Sequence, residues 1–118
     1  MAVSLIEYKG KKILYIDYSK TKNQEEMIDV LYQAVEYFNK SDKRLRSLSD
    51  MTDAYMGLDY MNELKRVTPI SLAPKSHKAA IIGVNALKSI LTKGYNSGNE
   101  GDILTFDTKE EALEYLVN

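Results

Sequence analysis

Apolar positions fall in short strand-like runs near the start of the chain, and at helical spacing after them. Val3 to Tyr8 is rich in β-branched and aromatic residues, and Lys12 to Tyr18 is a second such run. Lys9-Gly10-Lys11 between them is a turn signal, so the pair predicts an antiparallel hairpin. In the second run Ile13, Tyr15 and Asp17 share one face, and Leu14, Ile16 and Tyr18 the other. Both faces are largely apolar, which places this strand inside the sheet. Ser19 to Asn23 is polar. Beyond it Met27, Leu31, Ala34, Val35 and Phe38 follow the helical repeat, with Asn23 placed to cap. Gln24-Glu25-Glu26 puts negative charge at the positive end of that helix, which should end near Asn39 to Asp42.

Arg44 to Met51 predicts a third strand, in which Ser47 and Ser49 alternate with Leu48 and Asp50. Thr52 to Leu58 is a loop, and Asp59 to Val67 a short helix with Tyr60, Met61, Leu64 and Val67 on its apolar side. Thr68-Pro69 should stop or kink it, because proline disfavours the helical conformation in the residue before it. Pro74 closes a second irregular stretch, and Lys78 to Val84 predicts a strand buried on both faces. Asn85 should open another helix with Leu87, Ile90 and Leu91 inward. Gly94, Gly98 and Gly101 mark the loop after it, and Asp102 to Phe106 is the last strand. Thr108-Lys109-Glu110-Glu111 matches a capping box, and Ala112, Leu113 and Leu116 should face the core from the final helix.

The order is ββαβαβαβα, an α/β fold with a mixed, mostly parallel five-stranded sheet and about four helices, entered by a β-hairpin. Ile13, Ile16, Leu31, Val35, Leu48, Ile81, Ile82, Leu104 and Leu116 should be buried. At 118 residues, positions 1–118 read as a single domain.

Composition narrows the function classes. Sixteen Lys and Arg against 17 Asp and Glu, net −1, argues against a general nucleic-acid binder, which needs excess positive charge. There is no Cys, hence no disulfide, thiol nucleophile or zinc-thiolate site. His77 is the single histidine and reads as a surface residue before a buried strand. The longest apolar run, Ala79 to Val84, has six residues, far short of the ~20 that span a membrane. The N-terminus has no basic region followed by a long apolar core, so no signal peptide is expected and the expected location is cytoplasmic. Gly94 to Gly101 lacks the Lys-Ser/Thr ending of a phosphate loop, and no cofactor is expected. Lys9, Lys11, Lys12, Lys20 and Lys22 read as solvated surface.

Five stretches in this order resemble the SpoIIAA-like branch of the STAS-like (sulfate transporter and anti-sigma-factor antagonist) domains. They are the hairpin ending Tyr15-Ile16-Asp17-Tyr18, the amphipathic helix from Gln24, the strand leading into Asp50, the Lys78 to Val84 run and the ending from Phe106 to Leu116. The resemblance covers nearly the whole chain. It implies a small bacterial, non-enzymatic domain that acts in signalling, through protein interaction or small-ligand sensing. One feature departs from the pattern. Anti-sigma-factor antagonists carry a phosphorylated Ser next to a Gly after the third strand, whereas here Met56 precedes Gly57 and the loop has no Ser. The phosphoswitch does not carry over.

Two regions are candidates for function. Tyr18, Ser19, Thr52, Asp53, Tyr55 and Met56 follow neighbouring strands and should share one edge of the sheet. Their mix of rings, thioethers and polar groups suits an unknown protein partner, a small apolar ligand or a second copy of the chain in a homodimer. Tyr60 and Met61 beside them read as core. Asp17 and Asp50, at strand ends where open α/β sheets bind ligands near a reversal of strand order, support an alternative: a phosphoacceptor or metal-dependent enzyme. The receiver-domain version of that alternative lacks its Lys after the last strand. Turn capping by each Asp is the preferred role for the pair, and no catalytic residue is assigned.

Overall fold

The computed structural model describes residues 2–84 and 103–118. The helix expected from Asn85 and the glycine-rich loop after it lie outside the described residues. Strands β1 (Val3–Tyr8) and β2 (Lys11–Asp17) form the expected hairpin. Its two-residue turn, Lys9-Gly10, has positive φ at both positions, the geometry whose twist matches paired strands. Helix α1 (Gln24–Lys40) then crosses over to β3 (Leu45–Asp50). Helix α2 (Leu58–Val67) leads to β4 (Ser76–Ile82), and β5 (Ile103–Phe106) precedes α3 (Lys109–Val117). The sheet runs β1-β2-β3-β4-β5, antiparallel in the hairpin and parallel elsewhere. Three α-helices cover it among the described residues.

Strand order follows chain order throughout, so this sheet has no reversal of the kind that creates a ligand crevice at strand ends. The strand-order reversal that the sequence reading attached to Asp17 and Asp50 is therefore absent from the described sheet. Sequential order has another consequence. Parallel crossovers are right-handed, so successive ones land on the same side of the sheet. Helices α1 and α2 accordingly share one face, packed over Leu14, Ile16 and Met51, while α3 covers the other with Ile13, Leu48, Ala80 and Ile82.

Local chemistry sets the helix ends. The Asn23 side chain accepts the Glu26 amide at 2.9 Å, and Thr108 accepts that of Glu111 at 3.2 Å. Helix α2 begins at Gly57, which has no side chain to cap with. Gln24 of α1 does this instead, its Oε1 accepting the amides of Asp59 and Tyr60 at 2.6 and 3.1 Å. At its C-terminus α2 opens into a π-type turn, Thr68–Leu72. Pro69 has no amide to bond the preceding turn, so the ladder widens where the sequence predicts a stop or kink. Helix α3 has no basic residue in its last turn, and the sheet supplies the cations: Arg46 Nε donates to the Leu116 carbonyl at 2.8 Å, and Lys78 Nζ to that of Tyr115 at 3.2 Å.

Of the expected core, Ile13, Ile16, Leu31, Val35, Leu48, Ile82 and Leu116 are buried. Two positions are corrected. Leu104 is 47% exposed, because it stands on the edge strand while α3 packs chiefly over β4. Ile81 is only partly buried, and β4 is therefore not closed on both faces: Ile81 and Ala79 look onto a hollow under α1 and α2.

Gly83 locks the end of β4 to the end of β3. Its φ is +79°, and a Cβ there would collide with the backbone nitrogen and Oγ1 of Thr52. Gly83→Ala should lower stability by roughly 1–3 kcal/mol, read as a reduced urea midpoint at unchanged slope.

Candidate functional site

The hollow has a volume of about 150 Å³ and lies between the sheet and the α1–α2 layer. Its floor is the middle of the sheet, with Ile16 from β2, Ser47 and Ser49 from β3, and Ala79 and Ile81 from β4. Its roof is Leu31, Ala34 and Phe38 from α1, with Met61 and Leu64 from α2. Thr68, Leu72 and Ala73 close one end from the π-type turn and its continuation.

The hollow exists because of side-chain size. A strand covered by helices ordinarily turns branched apolar residues toward them. On β2 those residues are Leu14 and Ile16. Their register partners on β3 are Ser47 and Ser49, and Ser47 pairs onward with Ala79. Three small side chains sit together where the helices need bulk beneath them.

The other end of the hollow is aromatic. Tyr18, just beyond β2, meets Tyr60 of α2 edge to face, ring centroids 5.5 Å apart. Met51 and Met56 line the cavity beside them. Among the described residues, no Asp, Glu, Lys, Arg or His lines it. Polarity comes from hydroxyls: Ser47, Ser49, Ser76, Thr68 and the two tyrosines. Thr68 Oγ1 donates to the Leu64 carbonyl at 2.6 Å. The Ser47 and Ser49 hydroxyls make no hydrogen bond to another described residue and are open to the cavity rather than sealed off from solvent.

The six residues expected to share a strand-end surface all follow the paired ends of β2 and β3, where the Tyr18 amide donates to the Asp50 carbonyl at 2.9 Å, but their side chains take different roles. Tyr18 is buried and Met56 half-buried, and both line the cavity. Ser19 and Thr52 form tight turns with the aspartates: Asp17 Oδ1 accepts from the Ser19 amide at 2.9 Å and its hydroxyl at 2.5 Å. Asp50 Oδ1 accepts likewise from Thr52 at 3.0 and 2.6 Å. Asp53 is an exposed turn residue with φ +55°. Tyr55 stands 49% exposed. Ser47, Ser49, Thr68, Leu72 and Ser76 were not singled out by the sequence pattern as a site. The available signal was a pair of serines on one face of an interior strand.

Asp17 and Asp50 are register partners on the α3 side of the sheet, opposite the cavity. Each carboxylate is engaged by its own turn, as the capping role requires. Asp50 Oδ2 also accepts from the Tyr15 hydroxyl at 3.2 Å. Burial, followed by the Asp50 charge and this hydrogen bond, pushes the Tyr15 phenol up to about 12. No group of three or more His, Asp or Glu positioned to hold a metal occurs among the described residues.

No protein-family model matches the chain, and no curated protein does. Among solved structures it is similar to an uncharacterised DUF3478-family protein with a SpoIIAA-like fold from Shewanella loihica PV-4. The TM-score is 0.63 at 18% identity, over 98% of this chain and 92% of that one. The fold is SpoIIAA-like, as the sequence resemblance implied. No helix among the described residues is long and apolar enough to cross a membrane.

The Tyr15 contact has a pH signature. An acid whose folded pKa is raised contributes stability that is complete below its unfolded pKa, ~10, and lost as pH rises through its folded one. Alkaline unfolding should therefore include a component between pH ~10 and about 12 that Tyr15→Phe removes. Ultraviolet titration of the folded protein should lose its late-titrating tyrosine in the same variant.

Proposed function

We propose that this is a binding domain whose cavity takes up a small, mostly apolar molecule. The observation that carries the reading is the hollow itself. Protein interiors leave few voids larger than a water molecule. A hollow of about 150 Å³ between the sheet and its helices leaves its lining residues without the close packing usual in a core. A single Leu or Ile at Ser47 or Ser49 would fill much of it. A ligand that fills the space supplies the missing contacts instead.

The lining favours binding over turnover. Acid–base catalysis needs a group that exchanges protons near working pH, and the lining offers only hydroxyls. The carboxylates of the alternative reading, Asp17 and Asp50, lie across the sheet and are held by their turns. The domain is thus proposed to be non-catalytic, in a regulatory or sensing role in which occupancy of the cavity is the signal.

Amide chemical-shift titration with neutral ring-sized compounds (benzene, cyclohexanol and phenol) tests the reading. Saturable shifts should centre on Ile16, Leu31, Ser49 and Ile81. If no compound gives saturable shifts there, the cavity is not a binding site. Ala79→Val should fill part of the space, raising stability by ~0.5–2 kcal/mol in urea while weakening uptake.

A second reading has its own observation. Tyr55 and Leu58, 49% and 76% exposed, stand on the stretch that carries Met56 into the cavity. This surface suits a protein partner or a second copy of the chain. Met56→Ala should weaken ligand uptake and leave assembly unchanged. Tyr55→Ala with Leu58→Ser should do the reverse if the chain self-associates, as measured by light scattering across concentration.

A further inference from the structure

The size, charge and polarity of the cavity narrow its occupant. A space of about 150 Å³ matches one six-membered ring, and is well below the ~300–1,000 Å³ of sites for drug-sized ligands. Among the described residues no ionised side chain lines it. An anion or cation inside would be buried without a partner, at a cost of several kcal/mol. The occupant is therefore neutral.

It is also not a plain hydrocarbon. Ser47 and Ser49 put two hydroxyls on the cavity floor, and neither side chain is used by the protein among the described residues. Both oxygens stay open to the cavity, where a ligand group can take the place of water. Fold geometry gives no reason for two of them at adjacent same-face positions of an interior strand, since Leu48 between them packs normally against α3. A ligand hydroxyl or carbonyl seated on β3 supplies what they lack. Each serine can donate and accept, so the pair can take either kind of group.

We infer that the occupant is a neutral, ring-sized molecule bearing a hydrogen-bonding group, which Ser47 and Ser49 read from the floor of the cavity. This rests on the cavity being the binding site. The ring lies against Leu31, Phe38 and Ile81, and the polar group points to β3. The serines set specificity, and the apolar walls supply most of the affinity.

Phenol and toluene have nearly the same shape and differ by a hydroxyl in place of a methyl group, so they isolate the polar contribution. Calorimetric titration of the full chain should show phenol binding at least as tightly as toluene. In the Ser47→Ala, Ser49→Ala double variant the phenol-to-toluene preference should fall by about tenfold, one hydrogen bond's worth, with toluene affinity held or improved. Each single variant repeats the comparison if the double variant does not fold by circular dichroism. A preference for toluene that is the same in wild type and variants overturns the inference and leaves the cavity as an apolar site. Benzoate binding as tightly as phenol overturns the neutrality of the ligand. Binding of neither ring removes the site, and the inference with it.

Discussion

Two right-handed crossovers in sequence force α1 and α2 onto one side of the sheet, and the middle of that side is built from small residues. The rest of the architecture depends on this combination. The helices cannot settle onto Ser47, Ser49 and Ala79, because larger residues hold them off around the margin. Leu14 supports them along β2, and Tyr18 meets Tyr60 at one end. Gln24 ties the start of α2 to the start of α1 through two amides. The two helices therefore span the hollow as a roof supported at its edges.

The opposite face shows what the same strands do when filled. Leu48, between the two serines, is fully buried against α3 with Ile13, Ala80 and Ile82. Arg46 and Lys78 reach the carbonyl end of that helix, and Tyr8 and Lys9 hold Glu114 on its flank. One face thus carries close packing and the other a cavity, divided along a single strand by the parity of its residues. Side chains lining the cavity can then vary without repacking the other face.

Most of the fold was legible because its signals are local. Asn23 and Thr108 cap as their positions predict, the Lys9-Gly10 turn sets the hairpin, and Pro69 ends α2. The SpoIIAA-like resemblance rested on the order of such signals, each weak alone. Leu104 and Ile81 were misjudged because burial depends on what lies opposite. An apolar residue on an edge strand, or one facing three small neighbours, has the same local pattern as a core residue. The site was harder to see for the same reason. A cavity is a shortage of side-chain volume shared by β3, β4 and two helices, and no single segment records it. Tyr18 and Met56 could be picked out from their chemistry, but Ser47 and Ser49 look like ordinary polar strand residues until register places them beside Ala79.

The division of the strand also bears on the choice between binding and chemistry. Asp17 and Asp50 share the α3 face with Tyr15, whose phenol stays protonated to about 12 and so remains a donor to Asp50 across ordinary pH. That cluster is tied into turns that shape the strand ends. The cavity face has the space but, among the described residues, no group that changes charge near neutrality. A phosphoryl acceptor or metal site needs open space and ionised ligands together. Here the sheet keeps them apart, with carboxylates on one side and volume on the other. Moving either through the sheet would mean shifting β2 and β3 by one residue, which would turn Leu48 and Ile13 out of the α3 core. The parity that opens the cavity therefore also sets Asp17 and Asp50 on the other face of the sheet.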